Sequence, residues 1–335
     1  MKTTKIVCSI GPVSQSAEMI EKLVGVGMSI ARVNCSHGGD QNRINIETVK
    51  AVRKEKKLDI EIMLDTNGPD VRIGTFENVS VTLVKGNKFT LLAKECVGNE
   101  KQVFCGYEKL PMRVKKGEYI LLGDGGIKLV IEEIKGDDIV CAIEEGGVLS
   151  DRKSLYVPNV DLGMPFMSDR DKQDVKMGLD TGCDSIAASF VGSVKDVKEL
   201  RDFMKECGRV VPIYAKIESS EGIANLDEIM QNVEGVMVAR GDLGVEYPLE
   251  KIPALQKLII DVARKYNKFC IVATEMMETM KDNPRPTRAE VTDVANAVWQ
   301  GADAVMLSAE SAVGKHPILA VDFMRRITDE ARRGL

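Results

Sequence analysis

The sequence is poor in the residues that mark several common site chemistries. It has two histidines in 335 residues. Its eight cysteines, Cys8, Cys35, Cys96, Cys105, Cys141, Cys183, Cys207 and Cys270, are scattered, with no CxxC pair and no cluster with histidine. That spacing argues against a zinc site. Cys8, Cys35, Cys183 and Cys270 lie in or beside apolar runs, where a free thiol behaves as a small hydrophobe, and the pattern fits a reducing cytoplasm. There is no basic block, and the net charge is −5, so nucleic acid is not an expected partner. No apolar run approaches the length of a membrane span. The apolar run in the opening MKTTKIVCSIGP is too short for a signal peptide. No GxxxxGK[ST] occurs, since Gly314–Lys315 is followed by histidine, and a P-loop enzyme is excluded.

What is present is a repeating unit: a short apolar strand, a polar or glycine-bearing turn, then an amphipathic helix. Strands are expected at Ile6–Ile10, Ile30–Val33, Ile60–Leu64, Ser185–Ala188, Ile213–Ile217, Val236–Ala239, Phe269–Ala273 and Ala304–Leu307. Helices are expected over 16–26, 41–56, 222–232, 250–266 and from His316 to about Arg333. Others start at Ser168, Ser193 and Thr287, each followed three residues on by Asp171, Asp196 or Glu290, the spacing of a capping box. His316 is expected to cap the last helix. Between Arg72 and Pro158 the helical period vanishes. Alternating runs such as VSVTLV, KFTLLA, YILLGDGG, IKLVIEEI and DIVCAIEE replace it, separated by glycine turns, as in a small all-β domain.

Eight strands alternating with eight helices is the arithmetic of a (β/α)₈ TIM barrel. A doubly wound open sheet is the weaker alternative, because polar residues end nearly every strand rather than those beside one crevice. The expected fold is therefore an α/β barrel with a small all-β domain inserted after strand three. Residues 1–71 and 159–335 make the barrel and 72–158 the insertion. Active sites of such barrels lie at the C-terminal strand ends.

The stretch from 212 to 244 carries the sharpest chemistry. Lys216 and Glu218 lie two apart at the end of one strand, and Arg240 and Asp242 end the next. Side chains two apart on a strand share a face. A lysine between carboxylates is costly to bury without a purpose. Two hard oxygen ligands, Glu218 and Asp242, suit Mg²⁺, and a nearby ammonium suits a transferring phosphoryl group or an enolate. A structural ion pair between strands is the competing reading. Arg32, Asn34 and Ser36 are again spaced by two, and Arg32 offers a planar fork for phosphate. With Asp65 and Thr66, Asn34 and Ser36 could cage a monovalent cation; on the residues alone, ordinary turn chemistry is the favoured reading of Asn34 and Ser36. His37 either contacts a nucleotide or is a solvated loop residue, the latter by default. In NPRPTRAE (283–290) Thr287 and Glu290 make a helix start, while Arg285 and Arg288 could reach a neighbouring subunit.

Seven stretches together resemble pyruvate kinases: ARVNCSHG (31–38), DTNGPDVR (65–72), AKIESSEG (215–222), VARGDLGVE (238–246), ATEMMETM (273–280), NPRPTRAE, and TDVANAVWQGADAVMLSAESAVGKHP. The similarity runs from Lys5 to about Met324, with the inserted domain in the family's place. The resemblance implies phosphoryl transfer from phosphoenolpyruvate to ADP, with Mg²⁺ (or Mn²⁺) and K⁺. Arg32 and Lys216 would hold the phosphoryl group, and Thr274 would sit by the carbon that is protonated to give pyruvate. Glu218 and Asp242 would bind the divalent metal, and Asn34, Ser36, Asp65 and Thr66 the potassium. Arg72, His37, Asn34, Arg170 and Asp124 would serve the nucleotide side, with Asp124 on the inserted lid. Ser189, Phe190 and Ser308 match further family positions.

The chain departs from the family at Asn67 (lysine in DTKGP), Glu275 (glutamine in ATQM), Gly192 (arginine) and Arg170 (lysine in SEKD). SAESA stands for SGETA. The resemblance also implies a further C-terminal α/β domain, which is expected to be absent here. Two rival functions follow from the departures: a Mg²⁺-dependent enolate-forming enzyme acting on a phosphonate or another 2-oxo acid, and a non-catalytic regulatory relative. A cytoplasmic homodimer joined through barrel faces is expected, with no membrane partner.

Overall fold

The computed structural model describes residues 3–37, 39–123, 125–158 and 160–334. The chain forms two compact units. One comprises Met1–Gly68, Phe166–Leu243 and Glu250–Leu335; the other comprises Pro69–Pro165 with Gly244–Leu249.

The larger unit is a closed eight-stranded parallel barrel. Its strands are β1 (Lys5–Ser9), β2 (Ile30–Asn34), β3 (Glu61–Asp65), β4 (Ser185–Ala188), β5 (Ile213–Ile217), β6 (Gly235–Ala239), β7 (Phe269–Ala273) and β8 (Ala304–Leu307). Each pairs with its sequence neighbours, and β8 returns to β1 with Lys5 opposite Ala304. Nearly every strand residue is buried, as a parallel sheet covered on both faces requires. The helices are α1 (Ala17–Gly25), α2 (Asp40–Lys56), α3 (Asp169–Thr181), α4 (Val194–Glu206), α5 (Ser220–Ala224), α6 (Leu226–Asn232), α7 (Arg240–Glu246), α8 (Ile252–Lys265), α9 (Arg288–Gln300), α10 (Ala309–Ala312) and α11 (Pro317–Arg333).

The three capping boxes form as the spacing predicts, at Ser168–Asp171, Ser193–Asp196 and Thr287–Glu290. The helix expected over 222–232 is instead two, α5 and α6, meeting at Asn225. Its side chain donates to the carbonyl of Gly192 at 2.8 Å rather than serving the helix. His316 stands at the start of α11 but its side chain makes no capping bond; Pro317 opens the helix, where a missing N–H costs nothing.

The period of two along each strand sets the barrel interior. Val7, Ile30, Met63, Ala187, Tyr214, Met237, Ile271 and Ala304 form one apolar cluster. Tyr214 and Phe269 close it with an edge-to-face ring contact at 5.7 Å. Two residues further along five of these strands stand Ser9, Arg32, Asp65, Ser189 and Lys216. The apolar filling thus gives way to a polar layer at the C-terminal strand ends.

The second unit is all-β, with a two-stranded sheet (Ser80–Leu83 and Gly147–Ser150) and a six-stranded one. The latter runs in the order Leu155–Tyr156, Tyr119–Leu122, Ile127–Lys135, Asp138–Glu145, Lys88–Leu92, Gln102–Phe104. Alternate residues such as Leu129, Ile131, Ile139, Cys141 and Ile143 fill its core. The strands at 102–104 and 155–156 are too short to show a period in the sequence.

Candidate active site

The polar layer is built around one carboxylate. Asp65 ends β3 and is fully buried. Its Oδ2 accepts from Arg32 Nε at 2.5 Å, and its Oδ1 accepts from Lys216 Nζ at 3.0 Å. Arg32 and Lys216 are themselves only 8% and 9% exposed. Arg32 also donates to Ser9 Oγ at 2.7 Å, and Lys216 to Ser189 Oγ at 2.6 Å. One buried anion therefore fixes two cations, one from the adjacent β2 and one from β5 beyond β4. Burial would raise the Asp65 carboxyl, but Arg32 and Lys216 outweigh it and hold it below the usual range. Burial pulls the Lys216 ammonium down; Asp65 and Glu218 outweigh that and hold it above its usual range.

Glu218 follows two residues beyond Lys216. Its Oε2 accepts from the backbone N–H of Phe190 at 2.7 Å. Its Oε1 lies 3.0 Å from Lys216 Nζ but takes no directed hydrogen bond. Asp242, in the first turn of α7, acts electrostatically on both Lys216 and Glu218. Burial first, and Asp242 after it, raise the Glu218 carboxyl against the pull of Lys216. A buried carboxylate oxygen without a directed partner, facing a second carboxylate, is a place where a divalent cation fits. The donors are hard oxygens too few to form a cage, which suits a metal that keeps waters and substrate oxygens. No group of three or more His, Cys, Asp or Glu residues able to hold a metal occurs among the described residues.

Asn34 and Asp65 are opposite residues in the β2–β3 register. Asn34 Oδ1 accepts from the Ser36 N–H at 3.1 Å, and Thr66 Oγ1 from the Ser189 N–H at 3.0 Å. The structure thus gathers Arg32, Asn34, Ser36, Asp65, Thr66, Lys216, Glu218 and Asp242 at one end of the barrel. Thr274 follows β7, and its Oγ1 accepts from the Gly241 N–H at 2.8 Å. Arg170, largely exposed on α3, donates to the Cys35 carbonyl at 3.2 Å, beside the turn that holds Ser36. Arg72 belongs to the inserted unit, where it pairs with Asp70 at 2.6 Å and donates to the Arg152 carbonyl. Asp124 and the side chain of His37 lie outside the described residues.

Three further side chains take part, of which Ser189 already matched a family position. Ser9 and Ser189 hold the two cations; the period of two on β1 and β4 carried that signal. Glu310, fully buried, accepts from the N–H groups of Ser308 (2.7 Å) and Met277 (3.2 Å), tying together the loops after β8 and β7. At Asn67 the side chain stays local, on the Gly68 carbonyl. The backbone N–H groups of Asn67 and Gly68 both donate to Asp171 Oδ1. A Cβ at Gly192 would lie 2.5 Å from Glu221 Oε2, so a larger side chain there would displace Glu221.

A parallel barrel whose C-terminal end presents buried cations beside a pair of metal-suited carboxylates defines an enzyme of anionic, phosphoryl-bearing substrates. The family model described as "Pyruvate kinase, barrel domain" matches residues 1–321. The pyruvate kinase of Thermotoga maritima is 42% identical over 336 residues, covering all of this chain and 72% of the relative. That of Mycobacterium tuberculosis is 41% identical over 96% of this chain and 69% of its own length. That of Clostridium perfringens is 41% identical over the whole chain and 71% of its own. The chain belongs to the pyruvate kinase family.

Proposed function

We propose that this protein transfers the phosphoryl group of phosphoenolpyruvate to ADP, giving pyruvate and ATP. The observation that carries the reading is the Arg32–Asp65–Lys216 network, two buried cations fixed by one anion. Phosphoryl transfer needs positioned positive charge around the equatorial oxygens more than it needs a nucleophile. Arg32 and Lys216 supply it, and Asp65 and Ser189 orient it before substrate arrives. Glu218 and Asp242 would hold Mg²⁺ or Mn²⁺, which supplies further positive charge to the phosphoryl and enolate oxygens when bound. Asn34, Ser36, Asp65 and Thr66 would hold K⁺. Thr274 stands by the carbon that is protonated as enolpyruvate becomes pyruvate. Arg72, Arg170, Asn34, His37 and Asp124 serve the nucleotide.

The test is pyruvate formation from phosphoenolpyruvate and ADP, with and without Mg²⁺ and K⁺. Turnover that needs both ions is expected. Folded protein that binds Mg²⁺ yet makes no pyruvate would overturn the reading.

The protein works in the cytoplasm, whose reducing conditions suit eight free cysteines. Among the described residues no helix is long and apolar enough to cross a membrane. A homodimer through barrel faces is expected; a monomeric mass by light scattering at micromolar concentration would refute it.

A further inference from the structure

Arg240 follows β6 and opens α7, and the phosphoryl chemistry above makes no use of it. Its side chain is 12% exposed and its guanidinium is committed to one neighbourhood. Nε donates to the carbonyls of Ala273 (3.3 Å) and Thr274 (3.2 Å). Nη2 donates to the Thr274 carbonyl at 2.5 Å and touches Met276 Sδ at 3.0 Å. Nη1 donates to both carboxylate oxygens of Asp293 on α9 (2.9 and 2.7 Å) and to Gln256 Oε1 on α8 (3.3 Å).

The segment it grips is strained. Thr274 and Glu275 have φ of 70° and 51°, two consecutive left-handed residues without a glycine. That region is unfavourable for a β-branched side chain and persists only where the surroundings over-determine it. Strand β7 would otherwise run on in extended conformation and aim the Thr274 side chain elsewhere. The Thr274 hydroxyl is fixed from the same side. It accepts from the N–H of Gly241, the residue after Arg240, and donates to the Ala273 carbonyl at 2.6 Å.

We infer that Arg240, locked by Asp293, is the positioning residue for Thr274: it holds the left-handed turn that presents the threonine hydroxyl to the reacting carbon. The inference rests on Thr274 standing beside that carbon. Asp293 lies outside the network of Asp65, Lys216 and Glu218, so its variants leave those residues in place.

The experiment compares Asp293→Ala, Asp293→Asn, Thr274→Ala and the Asp293→Ala/Thr274→Ala double variant. The readouts are kcat, KM for phosphoenolpyruvate, the Mg²⁺ midpoint and the loss of methyl deuterium from labelled pyruvate to water. That exchange is the protonation step run backwards. Asp293→Ala should lower kcat and deuterium loss together by about tenfold, because a misplacement of an ångström at a reacting group costs that much or more. KM and the Mg²⁺ midpoint should stay within about twofold. Asp293→Asn, which keeps the shape and one acceptor oxygen, should fall between, and it carries the test if the alanine variant does not fold. The double variant should be no slower than Thr274→Ala, as two changes acting through one group are non-additive. Additive losses would overturn the positioning role and leave that of Thr274 standing. A changed KM or Mg²⁺ midpoint at unaltered kcat would overturn it too. Parental exchange in Thr274→Ala would remove Thr274 from the reaction, and the inference with it.

Discussion

Lys216→Met should lower kcat by roughly 10³-fold in a protein that still folds, the upper end of what one preorganised donor contributes in a water-excluded site. Methionine fills much of the same volume, so the packing of β5 is kept while the ammonium is lost. What remains is Asp65 on one side and Glu218 with Asp242 on the other, three carboxylates that the ammonium had served. Of the two buried side-chain cations, a phosphoryl group, itself anionic, would then meet only Arg32. Lys216→Arg should not restore the rate. The guanidinium is larger and planar, and the ammonium sits where Asp65 Oδ1 and Ser189 Oγ converge at 3.0 and 2.6 Å. Steady-state pyruvate formation checks both variants. A methionine variant within about tenfold of the parent would contradict a main electrostatic role for Lys216.

The largest effect on stability should come from Asp65→Ala, at about 3–5 kcal/mol, the usual cost of breaking a buried ion pair by removing one partner. The reason lies in what is left behind. Arg32, 8% exposed, would keep only Ser9 of the two side chains it now bonds, and no counter-ion. Lys216 would retain Glu218, so the penalty falls mainly on β2. Urea denaturation followed by fluorescence of Trp299, the chain's one tryptophan and a residue of the barrel unit, reads the loss. A change below about 1 kcal/mol would mean that water reaches Arg32 and solvates it in place of the carboxylate.

The barrel was legible because its signals are local. A parallel strand covered on both faces is a continuous apolar run, and Ile213–Ile217 and Phe269–Ala273 have the limits the runs predict. A capping box is a four-residue pattern, and all three expected ones form. A weak or shared local signal does not fix an element's limits. Asn225 suits a helix well enough in sequence, yet its amide is drawn to Gly192, 33 residues away, and the helix breaks there.

The family, the order of the strands and the identity of the charged residues at their ends were determined by the sequence alone. Each is written in stretches short enough for period, spacing or motif to reveal. Only the tertiary structure decided which charges meet. Asp65 joins Arg32, 33 residues earlier, to Lys216, 151 residues later, and Arg240 reaches Asp293 across 53. No period spans such distances. The Asp65 partners are brought together by the pairing of β3 with β2 on one side and, through β4, with β5 on the other, which turns strand ends far apart in the chain into neighbours around one mouth. The left-handed turn at Thr274–Glu275 likewise depends on strand pairing: neither residue favours it, and Arg240, at the end of the adjoining β6, where α7 begins, holds it in place.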